Sequence, residues 1–295
     1  MRQQTRATLY AASTVLLWST VATAFKLSLD YMEPLQLLFY ANLTSVLLLL
    51  AVVALQGELK TLLRLPRGEI IRNSLLGLLN PLLYYWVLFQ AYDLLPAQEA
   101  QPLNYTWAIT LSLLAVPLLK QRLTPLDLVA ILISYFGILV IATHGAPLSL
   151  HFSNGLGVVL ALVSTVIWAL YWIFNTRSST PAVVGLLLNF TAALPFVALL
   201  TFYDSGFAIR SAEGLLGAAY VGLFEMGIAF IFWLNAMRLT DSTAKIANLI
   251  YLSPILSLFL IHFFVGEVIH WSSGAGLLLI LLGNGVQQLG RARGS

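Results

Sequence analysis

The chain has 295 residues, 59% of them hydrophobic and only 9% charged, with a formal net charge of +3 and a mean hydropathy of +0.88. A soluble domain carries about 25% charged residues, so most of this surface cannot face water, and the pI near 9.2 is no argument for nucleic-acid binding. The lack of cysteine excludes disulfides, thiolate metal sites and a thiol nucleophile.

The N-terminal stretch has the form of a secretory signal: Arg2 and Arg6, then Ala7–Val21, then the triplet Ala22-Thr23-Ala24. Nine further apolar runs already commit the chain to the membrane, so this stretch is expected to remain as the first span. A hydrocarbon core of ~30 Å needs about 20 apolar residues per helix. Runs of that kind cover 7–29, 34–56, 70–94, 97–119, 125–143, 154–175, 181–203, 213–236, 242–264 and 270–290. The expectation is an all-α polytopic membrane protein with ten transmembrane helices. Turn residues separate the runs, as in Met32-Glu33-Pro34, Leu65-Pro66-Arg67-Gly68 and Ser179-Thr180-Pro181. Helix five opens on Thr124-Pro125-Leu126-Asp127, which makes Asp127 a capping acid at a helix start.

Charge placement sets the orientation. With the N-terminus inside, the inner segments hold twelve Lys and Arg, from Arg2 and Arg6 to Arg291 and Arg293, while the outer loops hold only Arg210. Lys26 and Lys245 lie near helix ends. Both termini are therefore expected on the cytoplasmic side.

Five runs precede the seam His144–Asn154 and five follow it, so a second half of the same fold must enter the membrane upside down. This divides the chain into 1–143, a periplasmic connector 144–153, and 154–295. A shift of 145 residues lays Ala91-Tyr92-Asp93-Leu94 on Ala236-Met237-Arg238-Leu239, and it sets Asp93 against Arg238 and Arg122 against Glu267. Opposite charges at equivalent positions fit two halves that each obey the same basic-inside bias from opposite sides. A tryptophan recurs in the first helix of each half, Trp18 and Trp168. The reading is two inverted five-helix repeats around a central cavity.

Leu17-Trp18-Ser19-Thr20, Ile167-Trp168-Ala169, and Ser253-Pro254 with Gly266-Glu267 resemble the drug/metabolite transporter superfamily in its EamA-type, ten-helix branch. Asn104-Tyr105-Thr106-Trp107 adds a resemblance to its YddG-type amino-acid exporters. The likeness covers essentially the whole chain, with departures at Ala108-Ile109 and Lys120-Gln121-Arg122. It implies a secondary transporter of small metabolites, chiefly amino acids, in a bacterial inner membrane. It also implies a central cavity between helices one, three, four, six, eight and nine. The expected partners are a small-molecule substrate and the lipid bilayer. No nucleic acid, no cofactor, no metal and no obligatory protein partner are expected.

The polar residues inside the runs form stripes at helical spacing. Helix four carries Gln98, Gln101, Tyr105 and Ser112 with Asn104 beside them; helix six carries Ser164, Trp168, Tyr171 and Asn175 with Trp172 adjoining. Helix one offers Trp18, Ser19, Thr23 and Lys26, helix three Asn80 and Tyr84 beside Tyr85 and Trp86, and helix nine Asn248 and Tyr251. Hydrocarbon cannot hydrogen-bond such a face, so it turns toward another helix or a cavity. A single Ser, Thr or Asn reads as a bond between helices, whereas the aromatic and amide stripes of helices four and six together read as a small-molecule wall.

Glu225 lies mid-span, where a carboxylate is either functional or a buried neutral acid bonded to an amide or a lysine. Glu99, Lys26 and Lys245 near helix ends can snorkel or screen cargo, and His262 reads as interfacial. The small multidrug pumps of the superfamily carry a coupling glutamate in helix one, and helix one has none here. Pro81, Pro102, Pro117, Pro195 and Pro254 fall inside the runs and each permits a kink; Pro102 and Pro254, in quasi-equivalent helices four and nine, are candidate hinges or static kinks. The competing reading, a polytopic enzyme such as a lipid-linked transferase, needs clustered His, Asp or Glu at one face; the four histidines are scattered and no P-loop occurs.

The orientation has a direct check in a chain without native cysteine. Ser149→Cys should react with an impermeant thiol reagent added outside, and Gly68→Cys should not. The reverse pattern would overturn both the orientation and the inversion.

Overall fold

A computed structural model describes residues 3–120, 125–148, 153–175, 178–240, 249–250 and 252–294. Regular structure among them is helical. The first half holds α1 (Gln3–Leu29), α2 (Pro34–Leu55), a short α3 (Leu59–Leu63), and α4, built from Arg67–Gly77, Leu78–Leu83 and Tyr84–Leu94. It continues with α5 (Ala97–Asn104), α6 (Trp107–Leu119) and α7 (Pro125–Ala142). The second half holds α8 (Gly155–Asn175), α9 (Ala182–Asp204), and α10, built from Ala212–Tyr220, Val221–Ala229 and Phe230–Leu239. It ends with α11 (Leu252–Leu260, then Ile261–Val265) and α12 (Trp271–Gly294).

Six of these helices, α1, α2, α4, α8, α9 and α10, are long and apolar enough to cross a membrane; the apolar stretches of α7, α11 and α12 are shorter. The starts follow local chemistry. Glu33 and Gln36 form a capping box on α2 with Pro34 at its first position, and Ser211 caps α10 by accepting from Gly214 N–H at 3.0 Å. Residues 242–248 of the ninth expected run, with Lys245, lie outside the described residues.

Two expected spans are interrupted. The run 97–119 is two helices, α5 and α6, separated by a turn at Tyr105-Thr106. Pro102 has no N–H for the ladder and crowds the carbonyl one turn back, and the helix ends two residues later at Asn104. Thr106 then starts α6, its hydroxyl donating to Leu103 O at 2.7 Å. In α4 the helix is kinked within Leu78–Leu83, where Asn80, the residue before Pro81, takes an extended conformation with φ −142° and ψ 116°. That is the backbone region the following proline favours.

Pro254 differs from the expectation of a mid-helix proline. It is the third residue of α11, in the first turn, where N–H groups have no intrahelical partner to lose. The two halves keep the same spacing at these points: α6 starts at Trp107 and α11 at Leu252, 145 apart, while α4 ends at Leu94 and α10 at Leu239, again 145 apart. The third long helix of each half is irregular in mid-course, kinked at Asn80 in α4 and π-helical over Val221–Ala229 in α10.

The core lies where α1, α4, α8 and α10 meet; α2 and α9 pack together and against α10 and α4 respectively, and α7 pairs with α12 at one side. The α7–α12 pair approaches backbone to backbone. A Cβ added to Gly137 would stand 2.7 Å from Gly276 O, and one on Gly276 would stand 2.6 Å from Gly137 O. Small residues at such a crossing are what let two helices pack without a hydrophobic drive from lipid. Gly137→Val should therefore force the pair apart and destabilise the fold by about 1–3 kcal/mol, read as a lower melting temperature in detergent. Gly274→Ala, where a Cβ meets nothing within 4 Å, should cost nothing measurable.

Candidate functional site

Trp168 on α8 is the hub of an aromatic core. Its ring lies 4.5 Å from that of Tyr84 at an interplanar angle of 31°, and within 5.7–5.9 Å of Tyr171, Trp172 and Phe230. Trp18 on α1 closes the other side, 6.1 Å from Phe230 and 5.6 Å from Trp233. The sequence stripes thus bring Trp18, Tyr84, Trp168 and Tyr171 together, and the structure adds Phe230 and Trp233 from α10.

Glu225 sits in the π-helical stretch of α10, 9% exposed, and accepts a hydrogen bond from the Tyr85 hydroxyl at 3.0 Å. Its partner is a phenol across the two halves of the chain, not the amide or lysine expected. The Trp18 indole faces the same carboxyl, yet neither Trp18 Nε1 nor Glu225 Oε2 reaches a hydrogen bond of good geometry. Asn80, fully buried at the break of α4, lies by the Tyr171 hydroxyl, with neither of its amide atoms in a well-formed bond. Gln101 is buried in α5 with Oε1 unpartnered. Buried polar atoms normally have partners; those of Trp18, Asn80 and Glu225 lie at the aromatic core, and others are spread through the described residues.

Other predicted residues hold helices together. The Tyr84 hydroxyl donates to Asn104 Oδ1 at 3.3 Å, and Asn104 Nδ2 donates to Ser164 Oγ at 2.9 Å, linking α4, α5 and α8. Ser164 therefore follows the bond-between-helices reading. Tyr105 stands at the break between α5 and α6, its hydroxyl donating to Ser253 Oγ at 2.8 Å. In the amide orientation that satisfies its neighbours, Asn189 accepts from Tyr171 at 3.2 Å and donates to Asn73 O and Gly185 O. Asn175 is the half-buried last residue of α8, and its carbonyl accepts from Ser178 N–H at 3.0 Å. Asn248 and Tyr251 lie outside the described residues.

Two charged residues behave differently from the snorkelling expected of them. Lys26 Nζ donates to Tyr92 O at 2.8 Å and Leu95 O at 3.1 Å, closing the C-terminal end of α4 where a cation is favourable. Glu99 is buried and accepts from Ser153. His262 is exposed, with Nδ1 bonded to Glu267 O, as an interfacial residue would be.

Tyr85 and Phe230 are what the stripe analysis missed as wall residues. A strict four-residue step from Asn80 selects Tyr84 alone. The extended Asn80 resets the phase, so Tyr84 and Tyr85 are both buried. Among the described residues no group of three or more His, Asp or Glu is arranged to hold a metal ion.

The EamA-like transporter family model matches this chain twice, over residues 5–143 and 155–286. The chain belongs to the EamA-like transporter family. Among the relatives of this transporter is an uncharacterized transporter of Archaeoglobus fulgidus, 26% identical over 280 residues, 93% of this chain and 94% of that one. The uncharacterized transporter YvbV of Bacillus subtilis is 27% identical, covering 94% and 90%. The aromatic amino acid exporter YddG of Ancylobacter novellus is 27% identical, covering 86% and 87%. A solved crystal structure superposes with a TM-score of 0.69 at 23% identity over 99% of each chain, which bears on the fold alone.

A separate pocket of about 540 Å³ lies between α1, α10 and α11, lined by Thr20, Thr23, Ser28, Glu213, Tyr220 and Phe264 among others. The Thr20 and Tyr220 hydroxyls are bonded at 2.7 Å there. Of the polar residues singled out in the sequence stripes, Thr23 lines it.

Tyr105→Phe isolates one contact of the site, because it keeps the ring and removes only the bond to Ser253. The variant should reach the membrane at the parent level and keep its melting temperature within a few degrees. Its transport rate should fall roughly tenfold, equivalent to about 1.4 kcal/mol. Parent-level transport would make that bond mere packing.

Proposed function

We propose that this transporter exports neutral amino acids, aromatic ones included, by alternating access to the aromatic core around Trp168 and Glu225. The observation that carries the reading is the Tyr85–Glu225 bond, which joins the two halves inside a buried aromatic cluster rich in unpartnered polar atoms. Such a cluster offers flat apolar surface for a side chain and amides for the polar end of an amino acid. The aromatic substrate named for the Ancylobacter novellus relative agrees with it.

In this reading the chain crosses a bacterial inner membrane ten times, with both termini in the cytoplasm, as inverted repeats 1–143 and 154–295 joined by the outer connector 144–153. The double match of the family model and the 145-residue spacing of helix ends support the duplication. The basic-inside asymmetry supports the inversion. Trp18, Asn80, Tyr84, Gln101, Tyr105, Trp168, Tyr171 and Glu225 form the binding wall, Asn248 and Tyr251 are assigned to it from the sequence, and α5 flexes at the break beyond Pro102. Transport is facilitated exchange that needs no cofactor.

Glu225→Gln tests the role of the acid. Counterflow of labelled phenylalanine in proteoliposomes should persist within a fewfold of the parent, because an amide still accepts the Tyr85 hydroxyl. Abolished binding would instead make Glu225 the ammonium ligand. Counterflow retained with pH-driven accumulation lost would make it a proton carrier. No counterflow by the parent, for any amino acid, would overturn the proposal.

A further inference from the structure

The tip of α5 is fastened by a carboxylate from the far end of the chain. Glu267 Oε1 accepts from Ala97 N–H at 2.7 Å and Oε2 from Gln98 N–H at 3.1 Å, so both oxygens cap the first turn. The Gln98 side chain adds three bonds. Nε2 donates to Val268 O at 2.9 Å, and Oε1 accepts from His270 N–H at 2.9 Å and Ser273 Oγ at 3.0 Å.

A third tie runs to the connector between the halves. Glu99 Oε2 accepts from Ser153 Oγ, and Oε1 faces His144 Nε2 at 3.6 Å without a hydrogen bond of its own. The Glu99 side chain is 1% exposed and that of His144 is 43% exposed, so the imidazole stands between a buried carboxylate and the aqueous face. From this clamp the eight residues of α5 lead directly to the break at Tyr105 and its bond to Ser253. One short rigid segment therefore connects the outer face to the aromatic core.

We propose that α5 is the outer gate of this transporter, that Glu267 and Gln98 hold it shut, and that the Glu99–His144 pair makes its closure depend on the pH outside. The proposal rests on the alternating-access reading and assigns the moving part. With one proton on the pair, an imidazolium faces a carboxylate across 3.6 Å and the tip is held. Without that proton the carboxylate is buried opposite a neutral ring, and an unpaired buried charge is costly until opening admits water. Outer acidity therefore favours closure and outer alkalinity favours opening. The proton comes from outer water to His144 and returns there.

The other titratable groups around Glu99 are accounted for. Glu267 caps α5, and His262 is bonded through Nδ1 to Glu267 O. Lys26 on α1 is committed to the Tyr92 and Leu95 carbonyls. His270 on the approach to α12 meets His144 edge-on at 5.4 Å.

Ala100, fully buried behind the clamp, serves as a reporter. Ala100→Cys in proteoliposomes is labelled by an impermeant thiol reagent from outside, at outer pH from ~6 to ~8 with the lumen held fixed, the window in which histidine titrates. The same reporter carrying Glu99→Gln corrects for the reactivity of the thiol itself. Relative to that reference, labelling should rise roughly tenfold with outer pH. Gln98→Ala or Glu267→Gln should raise labelling severalfold throughout.

A flat ratio would overturn the pH dependence, and unchanged labelling in Gln98→Ala and Glu267→Gln would overturn the clamp. Should the cysteine chain fail to fold, phenylalanine counterflow under stepped outer pH decides. The parent should respond to the step and Glu99→Gln should not, while an equal response in both would refute the role of Glu99. Counterflow by the parent at any pH keeps the transport reading separate from the gate.

Discussion

Hydrocarbon offers no hydrogen bonds, and the arrangement of this chain follows from that single constraint. Every amide and hydroxyl that the sequence places inside an apolar run must find its partner within the protein. The chain from Tyr84 through Asn104 to Ser164, the Asn189 amide reaching Tyr171, and Lys26 on two carbonyl oxygens are all answers to it. The same constraint gives meaning to the places where no answer is found. Trp18, Asn80, Gln101 and Glu225 keep polar atoms without bonds, and they come from four different helices. Of these, Trp18, Asn80 and Glu225 lie at the aromatic core.

Much of this was legible in the sequence, because lengths of apolar residues translate directly into helices. The turns at Met32-Glu33-Pro34 and Ser179-Thr180-Pro181 separate helices as read. Stripes at helical spacing singled out both Trp168 and Tyr84, whose rings lie 4.5 Å apart. What escaped was set by the backbone. Periodicity presumes a continuous α-helix, and α4 departs from it at Asn80 while α10 is π-helical around Glu225. Residues beyond such a point change face, which is how Tyr85 came to meet Glu225 unannounced. The fate of Glu99 was equally hidden. A carboxylate near a helix end reads as solvated, and only the approach of Ser153 and His144, some fifty residues away in the chain, buries it.

The two halves share a plan without sharing residues. Helix ends recur at 145-residue spacing, yet Pro102 lies inside α5 and Pro254 in the first turn of α11. Glu267 fastens the start of α5, and its equivalent in the sequence under the shift is Arg122, a residue of opposite charge.

The interruption of α4 at Asn80 has an electrical side. A helix stopped in mid-course leaves carbonyl oxygens at one cut end and N–H groups at the other, equivalent to roughly half an elementary charge of each sign. In α4 the residue out of the helical conformation is Asn80, fully buried beside the Tyr171 hydroxyl, so the break falls at the aromatic core. These partial charges belong to peptide groups, which do not titrate. The middle of this protein therefore keeps a built-in polarity at any pH, fixed by where the chain breaks and independent of the state of its one acid.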